Sequence, residues 1–118
     1  MDTDKIFSKL KSILAKYELK LAVLHNKNDN YYLNTPTSDT NIKPEFFGAV
    51  QIKKSYVAFH LMPVYYYPEL LDSISQDLKN KMQGKSCFNF KDKDDKLFAE
   101  LKSLTEICFD KYKSLKKV

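Results

Sequence analysis

Gln83–Asp95 reads QGKSCFNFKDKDD, and its first residues look like chemistry. Gly84, Lys85 and Ser86 spell the end of a phosphate-binding loop, with Cys87 directly after them. That loop needs a second glycine five positions before Gly84, and the position is Lys79. It also needs a strand before it and a helix after it, because the helix N-terminus holds the phosphate. Here a helix pattern precedes and a strand pattern follows, so the phosphate reading is rejected. Cys87 as a nucleophile needs a base and a setting that favours thiolate. The only bases of the right kind are His25 and His60. A strand cysteine is more often a small packed apolar group than a reactive thiol. His60 alone is more often a hydrogen-bonded sheet residue than a ligand.

Two cysteines and two histidines scattered over the chain match no zinc-ligand spacing. Asp2/Asp4 and Asp92/Asp94/Asp95 are carboxylate groups at expected helix starts, where Asp serves as cap and dipole partner. No catalytic, cofactor-binding or metal-ligating set is therefore assigned, and no enzyme activity is expected.

The elements that would position these residues follow from periodicity. Residues 3–17 place Ile6, Phe7, Leu10, Ile13, Leu14 and Tyr17 on one helical stripe. Residues 18–26 alternate Leu19, Leu21, Val23 and His25, which predicts a strand, and 31–35 supplies its hairpin partner. Residues 36–44 have loop composition. Strands over 45–53 and 55–62 form a second hairpin around Lys53–Ser55. Residues 63–70, bracketed by Pro63 and Pro68, read as an irregular or extended arm. Leu70, Leu71, Ile74, Leu78 and Met82 predict a helix over 69–82, with Gly84 as its C-terminal cap. A last strand spans 86–91, and a closing helix spans roughly 94–116. Its stripe is Leu97, Leu101, Leu104, Cys108, Tyr112 and Leu115, widened by Phe98, Ile107 and Phe109.

The expected fold is α+β, in the order α-β-β-β-β-α-β-α. It has an antiparallel sheet of about five strands, with the N- and C-terminal helices packed on one face. At 118 residues the chain has room for one domain, 1–118. If the larger apolar sets face the helices, Tyr56, His60, Cys87 and Asn89 point together to the open face as a ligand or partner site. The run Tyr65–Tyr67 has two readings: a partner or dimer interface, or an edge segment whose outer tyrosines cover the core.

Composition narrows the partners. The net charge is +5, yet all 20 basic residues are lysine. Arginine supplies the bidentate fork that grips guanine edges and phosphates, so its absence argues against a nucleic-acid partner. The lysines also alternate with acids, as in KDKDDK (91–96). The apolar runs are too short to cross a bilayer, and no N-terminal apolar stretch follows MDTDK. The expectation is a cytoplasmic protein with a protein or small-molecule partner, or a second copy of itself.

With these segments laid out, the chain resembles the YdhG-like family of small bacterial domains. The resemblance rests on FFGAVQIKKSYVAFHLMPVYYYPELL (46–71), MQGKSCFNF (82–90) and LFAELKSL (97–104), and runs from about Tyr31 onwards. It implies a frataxin-like fold, helices over one face of an antiparallel sheet. For some members it also implies iron handling in iron–sulfur and haem assembly. Frataxin's acidic ridge lies on its first helix and strand. Residues 1–26 here carry Asp2, Asp4 and Glu18 against Lys5, Lys9, Lys11, Lys16 and Lys20, a surface that repels a hard cation. The resemblance thus implies the fold and no iron ligands.

Overall fold

A computed structural model describes residues 2–37 and 43–118. The N-terminal helix α1, Thr3–Ala15, is capped by the Asp2 side chain, which accepts from the Lys5 N–H. A five-stranded antiparallel sheet follows the chain in simple meander order: β1 Ala22–Lys27, β2 Asn30–Asn34, β3 Phe46–Ile52, β4 Val57–Leu61 and β5 Cys87–Phe90. Between β4 and β5 lie two short helical pieces, α2 Pro63–Tyr66 and α3 Gln76–Lys79, joined through a 3-10 turn at Pro68–Ser73. The long helix α4, Asp95–Ser114, closes the chain; Asp94 caps it by accepting from the Leu97 N–H. The α+β architecture and the order of elements are those expected from the sequence.

Both terminal helices press on one face of the sheet. Ile6, Leu10 and Leu14 of α1 and Leu97, Leu101, Leu104, Cys108 and Tyr112 of α4 are buried. They meet Tyr31, Leu33, Phe47, Val50, Val57, Phe59, Leu61, Phe88 and Phe90 of the sheet in one apolar core. Phe47 lies edge-on to Phe109 and Tyr112, and Phe90 edge-on to Phe98, which fixes α4 over the sheet. Gly48 lets α1 settle: a Cβ there would stand 2.9 Å from the His60 carbonyl oxygen and 3.3 Å from a Leu14 methyl. Of the predicted closing stripe, Ile107 and Leu115 lie at the surface.

Several boundaries differ from the expected ones. Glu18–Lys20 is a 3-10 turn rather than strand, and Leu19 is fully exposed. The turn is held because the Tyr31 hydroxyl donates to the Glu18 carboxylate while Tyr17 stacks on Phe109. Residues 63–66 and 68–70 are helical rather than irregular or extended, with Tyr67 between the two pieces. Pro63 and Pro68 occupy the first positions of their helical turns, where no N–H is required.

The single helix expected over 69–82 is broken at Ile74–Ser75. Ser75 gives its N–H and hydroxyl to the Glu100 carboxylate at 2.8 and 2.7 Å, and its Oγ accepts from the Leu78 N–H to cap α3. Gly84 is not a helix cap. With φ of +79° it turns a hairpin in which the Gln83 N–H donates to the Cys87 carbonyl and Met82 pairs with Phe88. The loop predicted over 36–44 includes residues 38–42, which lie outside the described residues.

Two bulges set which side chains reach the face away from the helices. In β1, Val23 pairs with Leu33 and His25 with Tyr32, leaving Leu24 extra. In β3, Gly48 pairs with Leu33 and Phe46 with Asn34, leaving Phe47 extra. An extra residue reverses the alternation beyond it, so Phe47 and Gly48 both face the helices while Phe46 faces outward.

Candidate functional site

β4 and β5 pair in the register Val57↔Phe90, Ala58↔Asn89, Phe59↔Phe88 and His60↔Cys87. Because Val57, Phe59, Phe88 and Phe90 are buried under the helices, alternation sends His60, Cys87 and Asn89 to the other face. There the Cys87 Sγ lies 3.9 Å from His60 Nε2, and the thiol donates to Asn89 Oδ1 at 3.1 Å. Three of the four residues expected on the open face thus meet.

Tyr56 stands apart from that trio. It falls just before β4 and lines a cleft of about 470 Å³ whose walls include Asn80, Lys81, Gln83, Asn89 and Lys91. Asn89 is the side chain shared by the cleft and the Cys87–His60 pair.

A row of rings leads to the pair from the far edge of the sheet. His25 meets Tyr32 edge-on with centroids 5.6 Å apart, Tyr32 stacks on Phe46 at 4.5 Å, and Phe46 lies 6.4 Å from His60. One residue from each strand, His25, Tyr32, Phe46, His60 and Cys87, therefore forms a line across all five strands. Sequence reasoning singled out only the last two for this face. Tyr32 was readable from its alternation with buried Tyr31 and Leu33, whereas Phe46 and His25 depend on the bulges.

The electrostatics favour uncharged groups. Burial, with the Lys53 charge as a lesser cause, lowers the His60 pKa. Burial raises that of Cys87, and Lys53 opposes it only in part. At neutral pH the pair is an imidazole beside a thiol, not an imidazolium–thiolate couple, so the arrangement lacks an activated nucleophile. Cys108, wholly buried on α4, is pushed up to about 12 by the same desolvation.

The three tyrosines divide. Tyr65 and Tyr66 are exposed and meet edge-on at 5.3 Å, with the Lys85 ammonium 5.9 Å from the Tyr65 ring centre. Tyr67 packs against the core, and the Lys111 ammonium lies 4.7 Å from its ring centre. Among the described residues no group of three or more His, Cys, Asp or Glu side chains is placed to hold a metal ion, and no helix is long and apolar enough to cross a membrane. Around α1, Asp2 pairs with Lys5, and Glu18 accepts from Tyr31. Those carboxylates are spread and engaged, and do not fit a cluster for iron.

The chain matches no family model, no curated protein and no solved structure.

Proposed function

We propose that this chain is a non-enzymatic binding domain whose working surface is the open face of the sheet. Its centre is the His60–Cys87–Asn89 cluster, continued through Asn89 into the cleft beside Tyr56. The observation that carries the reading is the meeting of an imidazole and a thiol at paired positions of adjacent strands. Strands position side chains more firmly than loops do, and among the described residues no helix covers this pair. A small polar molecule or an extended peptide segment is the occupant such a surface suits. The exposed pair Tyr65 and Tyr66, beside Lys85, is the second contact surface, for a protein partner or a second copy of the chain.

Two features support a protein or small-molecule partner over nucleic acid. The chain has no arginine, and Tyr32 and Phe46 stack on each other, which takes one face of each ring. Membership of the YdhG-like family is part of the proposal, supported by the order of elements and the one-sided helical cover. A reducing, cytoplasmic setting is likewise part of it, supported by two unpaired cysteines.

The test is native mass spectrometry of the full chain purified anaerobically under reducing conditions. The expected result is a retained mass or partner that His60→Ala and Asn89→Ala release, while the double variant Tyr65→Ser/Tyr66→Ser removes any dimer peak. A retained species that both sheet-face variants hold as well as the wild type overturns the assignment of this face.

A further inference from the structure

The His60–Cys87 pair has a chemistry of its own beyond a general contact surface. We infer that His60 Nε2 and Cys87 Sγ form a two-donor seat for a soft monovalent cation, copper(I) by its chemistry, with Asn89 as the neighbour that steadies the sulfur. The inference rests on the reading of the open face as the working surface, and names what that face takes.

Donor type is the first argument. A thiolate and an imidazole are soft and borderline ligands, which select copper(I) and zinc over calcium, magnesium or manganese. Donor number is the second. A structural zinc site wants four protein ligands, and no such group exists here among the described residues. Copper(I) has a filled d shell and is content with two donors set wide apart.

Distance is the third argument. With zinc's bonds to sulfur and nitrogen, about 2.3 Å and about 2.0 Å, as the yardstick, tetrahedral bonding would bring the two donors to about 3.5 Å, and a straight line would spread them to about 4.3 Å. The observed 3.9 Å lies between, so one ion can reach both atoms without either strand moving.

The seat is also accessible and chemically balanced. His60 and Cys87 are half-buried on a face that no helix covers among the described residues, so an ion can enter from solvent while the pairing of β4 and β5 holds both Cβ atoms in place. On binding, the Cys87 S–H bond breaks, its proton leaves to water, and sulfur donates its pair to the ion. In its Nδ1–H tautomer the imidazole donates the Nε2 lone pair with no proton to lose. Asn89, which accepts from the thiol in the apo chain, can then turn its amide N–H towards the thiolate, the kind of outer support that metal ligands keep. Cys108 offers no rival site, since it is sealed in the core.

The experiment is an anaerobic titration of the full chain against copper(I) held by the chromophoric chelator bicinchoninate. Wild type, Cys87→Ser, His60→Phe and Cys108→Ala are compared, with near-ultraviolet circular dichroism confirming that each is folded. Wild type and Cys108→Ala should each withdraw one equivalent. His60→Phe removes one of the two donors and should lose more affinity than the about 10- to 100-fold that follows from disturbing a ligand's outer support alone, and Cys87→Ser should bind more weakly still. Uptake by Cys87→Ser equal to wild type, or none by wild type, overturns the ion site. If wild type ignores copper yet keeps an organic mass that His60→Ala releases, the ion fails and the open face stands. If copper binds through Cys87 and no other ligand is ever retained, the face is a metal seat alone.

Discussion

His60 and Cys87 face each other across the β4–β5 pair, with Nε2 3.9 Å from Sγ, and burial disfavours the charged form of both. The first prediction concerns the thiol. With its pKa above the ordinary value, Cys87 should react with a disulfide reagent at pH 7 several-fold more slowly than an exposed cysteine. The rate should climb about tenfold per pH unit until the thiol ionises. Cys108 should react only on unfolding. Fast labelling of Cys87 below pH 7 would instead indicate an activated nucleophile and reopen an enzymatic role.

The imidazole makes the second prediction. The folded-state pKa of His60 lies below its unfolded value of about 6.5, so the unfolded chain binds the extra proton first. Its contribution is fully present above that unfolded value and is lost as pH falls below it, down to the lower folded pKa. Urea midpoints measured between pH 7.5 and 5 should therefore fall less in His60→Phe than in wild type. Equal slopes would show that other groups carry the acid sensitivity of this region.

Gly48 should tolerate no side chain. The nearest atom to a new Cβ is backbone, the His60 carbonyl oxygen at 2.9 Å, and a Leu14 methyl lies 3.3 Å from that Cβ. Gly48→Ala is expected to cost about 1–3 kcal/mol by overpacking, read as a lower urea midpoint with an unchanged slope. Because the shift would move the strand bearing His60, the same variant should perturb the His60 ring resonances.

Ser75 and Glu100 act as a unit. Ser75→Ala removes the side-chain cap of α3 and the hydroxyl donor to the Glu100 carboxylate while the backbone N–H donor stays, and should destabilise the chain by about 1 kcal/mol. The Ser75 N–H, and after it the hydroxyl, hold the Glu100 pKa down; only the hydroxyl is lost in Ser75→Ala, so carboxyl titration by NMR should show a partial rise. The effects of Ser75→Ala and Glu100→Ala should add to more than that of the double variant.

Lys116 takes a left-handed backbone at φ 59° just past α4, where the Lys117 N–H reaches back to the Tyr112 carbonyl. Glycine suits that position better than lysine. Lys116→Gly should therefore stabilise by about 0.5–1 kcal/mol, seen as a higher thermal midpoint. A loss of stability would mean that freedom gained by the unfolded chain outweighs relief of the left-handed strain.

Where local pattern and tertiary packing agree, the structure was legible. The α1 stripe from Ile6 to Tyr17 is buried at every predicted position, and alternation in β4 and β5 put Val57, Phe59, Phe88 and Phe90 inside. The open-face group was legible to the same extent, because it is the complement of those apolar residues. Legibility failed at 69–82. There the apolar spacing describes which residues face the core, yet the break at Ser75 depends on a carboxylate 25 residues away.

By itself the sequence determined the α+β class, the order of elements, the two capped terminal helices and the side of each strand that carries His60, Cys87 and Asn89. These follow from periodicity and capping, which act within a few residues. Only the tertiary structure decided that His60 stands opposite Cys87 and not a neighbour two residues away, that Tyr56 lines a cleft joined to that pair through Asn89, and that His25, Tyr32 and Phe46 complete the row. Strand register and the bulges at Leu24 and Phe47 are settled by which arrangement buries Leu33, Phe47 and Val50 against α1 and α4 together. That is a property of the whole core, and no short window of residues contains it.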